Sequence, residues 1–249
     1  MTLLPLETLL LLCLVALATG FIKGGVPSLG TMLTVSVALF FPPRDALGIT
    51  LLYLLVGDLV AVSLYWRLAH WQELKKMLVP VVIGIVLGGM SLSGLDNDNL
   101  GLTLGIVVII LVALEPFRDR LNAWALSHPG SVRAGSGMLA GLATTIGNAA
   151  GPILSLYFLL LKLDKLSFVG TGAIFFCFVN LSKIPIFIGQ DIFQPQYYGS
   201  VLLTAPLVLV GALGGRRFLQ WVSQVWFNRI VLCFTALAGV WLVIRYFTG

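Results

Sequence analysis

The chain has 249 residues, of which 59% are hydrophobic and 10% charged. Soluble domains carry about 25% charged residues, so this composition and a mean hydropathy of +1.03 place nearly the whole chain in a bilayer and exclude a second, soluble domain. The net charge of +5 does not indicate nucleic acid, because the basic residues form short juxtamembrane clusters that membrane topology explains.

Glu7 is the only early charge and no small-x-small site follows. A cleaved leader is therefore not expected, and residues 5–22 read as a lasting membrane segment. Nine more apolar segments follow in order, at 28–41, 46–66, 78–95, 100–116, 134–146, 150–162, 167–188, 199–215 and 228–247. Those at 28–41, 134–146 and 150–162 are short for a helix crossing ~30 Å of hydrocarbon. They read as half-helices, so the first two segments of each half are expected to form a re-entrant hairpin, with full crossings left open.

Two polar, glycine-rich interruptions stand 121 residues apart. The first runs Gly20-Phe21-Ile22-Lys23-Gly24-Gly25-Val26-Pro27-Ser28-Leu29-Gly30, and the second runs Gly141 to Pro152 through Thr144-Thr145-Ile146-Gly147-Asn148-Ala149-Ala150-Gly151. At the same offset Arg44 matches Lys165 and Thr50 matches Thr171. Further on an offset of 126 aligns Pro80 and Gly88-Gly89 with Pro206 and Gly214-Gly215. Ordered matches of this kind mark an internal repeat. The expected architecture is all-α and polytopic, with membrane repeats at 1–117 and 134–249 joined by a cytoplasmic linker at 118–133. An odd number of segments per repeat makes the second copy inverted. Paired interruptions in inverted repeats are the sequence pointer to a transporter's substrate site.

Charge sets the orientation. One side of the segments carries Arg67, Lys75, Lys76, Arg118, Arg120, Arg133, Lys162, Lys165, Arg216, Arg217 and Arg229, and the other only Arg44 and Arg245. The positive-inside rule then puts both termini outside the cytoplasmic membrane.

Three ionisable residues fall inside apolar segments: Lys23, Asp58 and Lys183. Such residues are costly and are candidates for function. Asn180 and Lys183 share a helical face at i, i+3 and suit an oxyanion, although Lys183 has the alternatives of snorkelling to a headgroup or pairing with Asp58. Asp58 is a candidate proton carrier. Restarting helices after Ser28-Leu29-Gly30 and after Asn148-Ala149-Ala150-Gly151 would offer unpaired N–H groups to an anion. The candidate substrate contacts are thus Lys23, Gly24, Ser28, Gly30, Gly147, Asn148, Gly151, Asn180 and Lys183, expected to converge on one site shared asymmetrically by the two interruptions. Thr144, Thr145 and Thr171 would add hydroxyls, though threonine in a membrane helix commonly bonds its own backbone.

Glycine pairs at GxxxG spacing (Gly20/Gly24, Gly84/Gly88, Gly101/Gly105, Gly137/Gly141, Gly147/Gly151, Gly211/Gly215) read first as helix-packing sites. Cys13, Cys177 and Cys233 are odd in number and form neither a disulfide framework nor a zinc spacing. No hydrolase, metalloprotease or phosphate-loop signature is present, so neither an enzyme nor a cofactor is indicated.

Gly20-x-x-Lys23-Gly24, Gly30, Gly147-Asn148-x-x-Gly151-Pro152, Gly170-Thr171 and Asn180-x-x-Lys183-x-Pro185 together resemble the TauE/SafE sulfite exporter family across most of the chain. Ala149-Ala150 stands where that family usually has glycine. The resemblance implies a cytoplasmic-membrane exporter of a sulfur anion, sulfite or an organosulfonate such as sulfoacetate. A cation or metal transporter, an anion channel of the same fold and an integral-membrane enzyme are the alternatives. Implied partners are the substrate anion and the lipid bilayer, with homodimerisation left open.

Overall fold

A computed structural model describes residues 5–38, 40–92, 106, 109–110, 113 and 128–248. Most of the expected segment at 100–116, its Gly101/Gly105 pair and most of the linker at 118–133 therefore lie outside the described residues. All described secondary structure is helical. α1 (Leu6–Gly25), α2 (Gly30–Ala38), α3 (Pro43–Tyr65) and α4 (Trp71–Leu92) come from the first half of the chain, with a 3-10 turn at Pro27–Leu29 and another at Trp66–Leu68. α5 (Pro129–Gly147), α6 (Ala150–Leu160), α7 (Lys165–Gly189), α8 (Tyr198–Thr204), α9 (Pro206–Trp221) and α10 (Gln224–Thr248) follow. Among the described residues five helices are long and apolar enough to cross a membrane, and the bent pair α8–α9 makes a sixth if it serves as one span. Their outward surface fits hydrocarbon, since Val79, Val82, Ile83 and Val86 on α4 and Leu209, Val210 and Leu213 on α9 are exposed.

Three expectations change. The segment expected at 134–146 is a 19-residue helix, α5, because Pro129 sets the first turn ahead of the apolar run. The segment expected at 199–215 is broken at Ala205 and bent by 51°, since Pro206 starts a new helix there. The glycine contacts below relate positions on α4 and α9 at a spacing of 127, where the sequence alignment gives 126.

The chain forms two compact units. One contains residues 1–70 and 165–223, the other 71–164 and 224–249. A repeat along the chain and a unit in space are different divisions, because each unit takes helices from both halves of the sequence.

In the first unit α1 lies against α9 at backbone distance. A Cβ at Gly20 would stand 2.0 Å from the Val208 carbonyl oxygen, and one at Gly211 would stand 2.1 Å from that of Leu17. In the second unit α5 meets α4 in the same manner. A Cβ at Gly141 would be 2.3 Å from the Val81 oxygen, and one at Gly84 would be 2.1 Å from that of Met138. The α1 and α5 positions differ by 121 (141 − 20; 138 − 17), and the α9 and α4 positions by 127 (208 − 81; 211 − 84). Each close approach in one unit thus has its counterpart in the other. Only glycine permits such spacing.

The interruptions reverse the chain. In the first unit Leu12, Val15 and Ala16 of α1 share one apolar cluster with Leu33 and Val37 of α2 and with Ile49 and Tyr53 of α3. In the second unit Glu73 of α4 receives hydrogen bonds from Arg133 near the start of α5 (2.8 and 3.3 Å) and from the Tyr157 hydroxyl late in α6 (2.9 Å). A continuous helix would separate residues 133 and 157 by about 36 Å at 1.5 Å per residue. One carboxylate reaching both means that α6 folds back beside α5.

Candidate functional site

Three helices of the first unit converge on one buried carboxylate. Lys23 lies near the end of α1, Asp58 two-thirds along α3, and Asn180 and Lys183 late in α7. The Lys23 Nζ donates to Asp58 Oδ1, and the Asn180 Nδ2 donates to Asp58 Oδ2 at 2.6 Å. Each carboxylate oxygen thus has its own donor. Lys183 is fully buried and lies within electrostatic reach of both Asp58 and Lys23. This removes the snorkelling alternative and identifies Lys23 as the hydrogen-bonded ion-pair partner of Asp58.

Helical spacing explains how α7 presents its part. Phe176, Asn180, Lys183 and Phe187 follow at intervals of four, three and four, which aligns them on one face. The Lys23 ammonium stands 4.6 Å from the centre of the Phe176 ring, and that of Lys183 stands 5.8 Å from Phe187. Ring faces are negative and support a cation that has lost its water. On α1 the Thr19 hydroxyl bonds the Val15 carbonyl (2.7 Å), satisfying a polar group one turn from Lys23.

Gly57 completes the cluster, and sequence reasoning missed it. A Cβ there would lie 2.9 Å from Lys23 Cγ and 3.4 Å from Thr19 Cγ2. The bare backbone beside Asp58 is the slot through which the lysine stem reaches its partner. A glycine next to an intramembrane carboxylate was the available signal. Tyr65 was missed as well; its hydroxyl donates to the Gly24 carbonyl at 2.7 Å.

With both lysines protonated and Asp58 ionised, this interior carries one net positive charge. Breaking a buried ion pair by removing one partner is strongly destabilising, because the remaining charge has no compensation. Such a cluster holds three helices in register.

The remaining candidates divide between packing and the second break. Gly24 faces α9, where a Cβ would stand 2.2 Å from the Ala212 oxygen. Gly30 is helical at φ −55° with open space around it. Ser28 sits in the 3-10 turn, and its side chain is outside the described residues. Gly147, Asn148 and Gly151 belong to the second unit. Asn148 caps α5 in the left-handed conformation (φ 54°, ψ 30°); its N–H bonds the Thr144 carbonyl at 2.9 Å and that of Ala149 bonds Ala143 at 3.1 Å. Asparagine follows glycine in preference for this position. α6 then starts at Ala150 without a side-chain cap, with Ala150, Gly151 and Pro152 buried. A buried, uncapped helix start leaves N–H groups for a ligand or water.

The threonines act locally. Thr145 bonds the Gly141 carbonyl (2.9 Å), and Thr171 bonds that of Ser167 (2.6 Å) while accepting the His70 N–H (2.9 Å). Cys13, Cys177 and Cys233 are free thiols. Among the described residues no three His, Cys, Asp or Glu side chains converge as metal ligands would. The Glu73–Arg133–Tyr157 cluster was hidden from sequence reasoning, which weighed Arg133 only as a topological charge.

A family model described as sulfite exporter TauE/SafE matches residues 12–242. Comparison with curated proteins and with solved structures returns no significant match.

Proposed function

The chain belongs to the TauE/SafE sulfite exporter family, and from that premise we propose that it carries sulfite or an organosulfonate such as sulfoacetate outward across the cytoplasmic membrane by alternating access. Membership itself implies a multi-pass membrane transporter of sulfur compounds. The finer reading rests on one observation: two lysines, Lys23 and Lys183, are buried in the first unit beside a single carboxylate, Asp58. An anion there would meet Lys23, Lys183 and Asn180 in surroundings where charge–charge attraction is much stronger than in water.

The repeated close approaches at offsets 121 and 127 support two repeats, at 1–117 and 134–249, and an odd number of segments in each favours inverted copies. The return of α6 toward the start of α5 supports a re-entrant hairpin. Eleven basic residues against two favour termini on the outer side. Export needs no partner ion, because moving one negative charge outward gains ~2.3 kcal/mol per 100 mV of inside-negative potential.

A thermal-shift panel on purified protein tests the reading. Sulfite, sulfoacetate, taurine, thiosulfate and sulfate are added in turn, followed by flux measurements in reconstituted vesicles. Stabilisation by a sulfur anion together with saturable flux is the expected result. Neither stabilisation nor flux with any of them would reject the proposal.

A further inference from the structure

The buried cluster of the first unit holds three ionisable side chains, Lys23, Lys183 and Asp58, all at most 5% exposed. In their ordinary charge states they sum to one net positive charge, and that sum sets what the cluster can accept. Net charge in a buried, low-dielectric interior is strongly disfavoured, so the most favourable occupant is one that brings the cluster to neutrality. A monoanion does so unaided. A dianion overshoots by one negative charge unless a proton enters with it.

With both lysines already protonated, Asp58 is the group of the cluster that can take that proton. Asp58 is faced by Lys23 from α1 and by Asn180, Lys183 and the Cys177 thiol from α7. α2 has no ionisable side chain, and Arg67, Tyr198, Arg216 and Arg217 on the other elements packed around α3 are exposed. The two carboxylate oxygens have separate duties. Oδ2 accepts from Asn180, and Oδ1 accepts from Lys23. A proton arriving on Oδ1 would therefore leave the amide bond intact and release the Lys23 ammonium to the ligand.

Resting on the anion-transport reading above, we propose that the Lys23–Asp58–Asn180–Lys183 cluster takes one net negative charge per binding event: a monoanionic sulfonate enters alone, and a dianion enters with one proton bound by Asp58. The exchange balances. The carboxylate becomes a carboxylic acid, its ion pair with Lys23 is replaced by an ion pair between Lys23 and the second anionic group of the ligand, and no other bond is made or broken. One negative charge then moves outward whichever anion is carried, so the membrane potential drives both classes equally.

The test compares methanesulfonate, a monoanion, with sulfoacetate, a dianion once its carboxyl has ionised near pH 4. Kd is measured for each by calorimetry on the full chain in detergent between pH 6 and 8. Methanesulfonate affinity should change less than about twofold over that range. Sulfoacetate affinity should weaken about tenfold per pH unit, the slope for uptake of one proton. Asp58→Asn should abolish the sulfoacetate slope. A pH-indicator dye in weakly buffered wild-type protein gives the same answer without a variant, with one proton taken up per sulfoacetate and none per methanesulfonate. Binding of both anions with equal slopes, or sulfoacetate binding without proton uptake, would overturn the proposal while leaving anion transport standing. Absence of binding by either anion would overturn both.

Discussion

At Val26 the chain leaves α1 extended (φ −136°, ψ 79°), makes one 3-10 turn and restarts at Gly30. At Asn148 it turns through a single left-handed residue and restarts at Ala150. The helices before both breaks are gripped by the same glycine-to-carbonyl contacts, at positions 121 residues apart. What stands beside the breaks differs. Lys23 precedes the first by one turn and is tied to Asp58 and Asn180, whereas its repeat equivalent is Thr144. Among the described residues the glycine-to-carbonyl contacts occur in both units, while the buried charged side chains, Lys23, Asp58 and Lys183, all lie in the first. The first break is thus the place to look for ligand charge and the second for backbone geometry.

The sharpest way to break this contrast is to remove the charge from one copy and the matched hydroxyl from the other. Lys23→Met leaves Asp58 buried without its cation and should cost about 3–5 kcal/mol of stability and abolish anion binding. Thr144→Val, which loses only a neutral group, should cost about 1 kcal/mol and retain binding. Thermal unfolding with and without sulfite reads both, and equal losses would erase the distinction.

A smaller effect tests what the copies share. Gly20→Ala and Gly141→Ala each push a methyl group into a helix backbone, and overpacking of this kind costs about 1–3 kcal/mol. The two unfolding free energies should fall by the same amount, within about 0.5 kcal/mol. A large inequality would show that the repeated contacts are not energetically equivalent.

The smallest effects separate backbone from charge at the second break. Asn148→Asp keeps a residue that tolerates the left-handed conformation, so stability should change by less than about 1 kcal/mol. If the uncapped start of α6 contributes to anion transport, flux through this variant should nonetheless collapse. Unchanged flux would assign Asn148 to chain reversal alone. Gly30→Ala, at a helical position with open space around it, should stabilise by about 0.4–1 kcal/mol and leave flux intact.

Much of this was legible in the sequence for physical reasons. Membrane-grade hydrophobicity is a property of composition, and an ionisable residue within it stands out because its burial is costly. Lys23, Asp58, Asn180 and Lys183 were therefore visible one by one. Their pairing was not, since 35 residues separate Lys23 from Asp58 and 122 separate Asp58 from Asn180, and spacing along one helix says nothing about contacts between helices. The GxxxG pairs announced close packing without naming partners. Gly24, named for its motif as a candidate ligand contact, faces Ala212 on α9. The spacing of 127 between the contacting positions on α4 and α9 escaped because 126 aligns Gly88-Gly89 and Pro80 with Gly214-Gly215 and Pro206, and only the carbonyls the glycines touch reveal the other register. Gly57 and Glu73 were invisible for a simpler reason: each matters through a neighbour far away in sequence.

The grip between α1 and α9 also orders events during synthesis. Gly20 meets Val208, and 188 residues (208 − 20) must be made between them. At about 5–20 residues per second this takes about 10–40 s. Through that interval the notched side of the first helix has no permanent cover in the bilayer. Lipid tails or the insertion machinery must fill its glycine groove and then give way when α9 arrives, so α1 waits through most of the chain's synthesis for this neighbour.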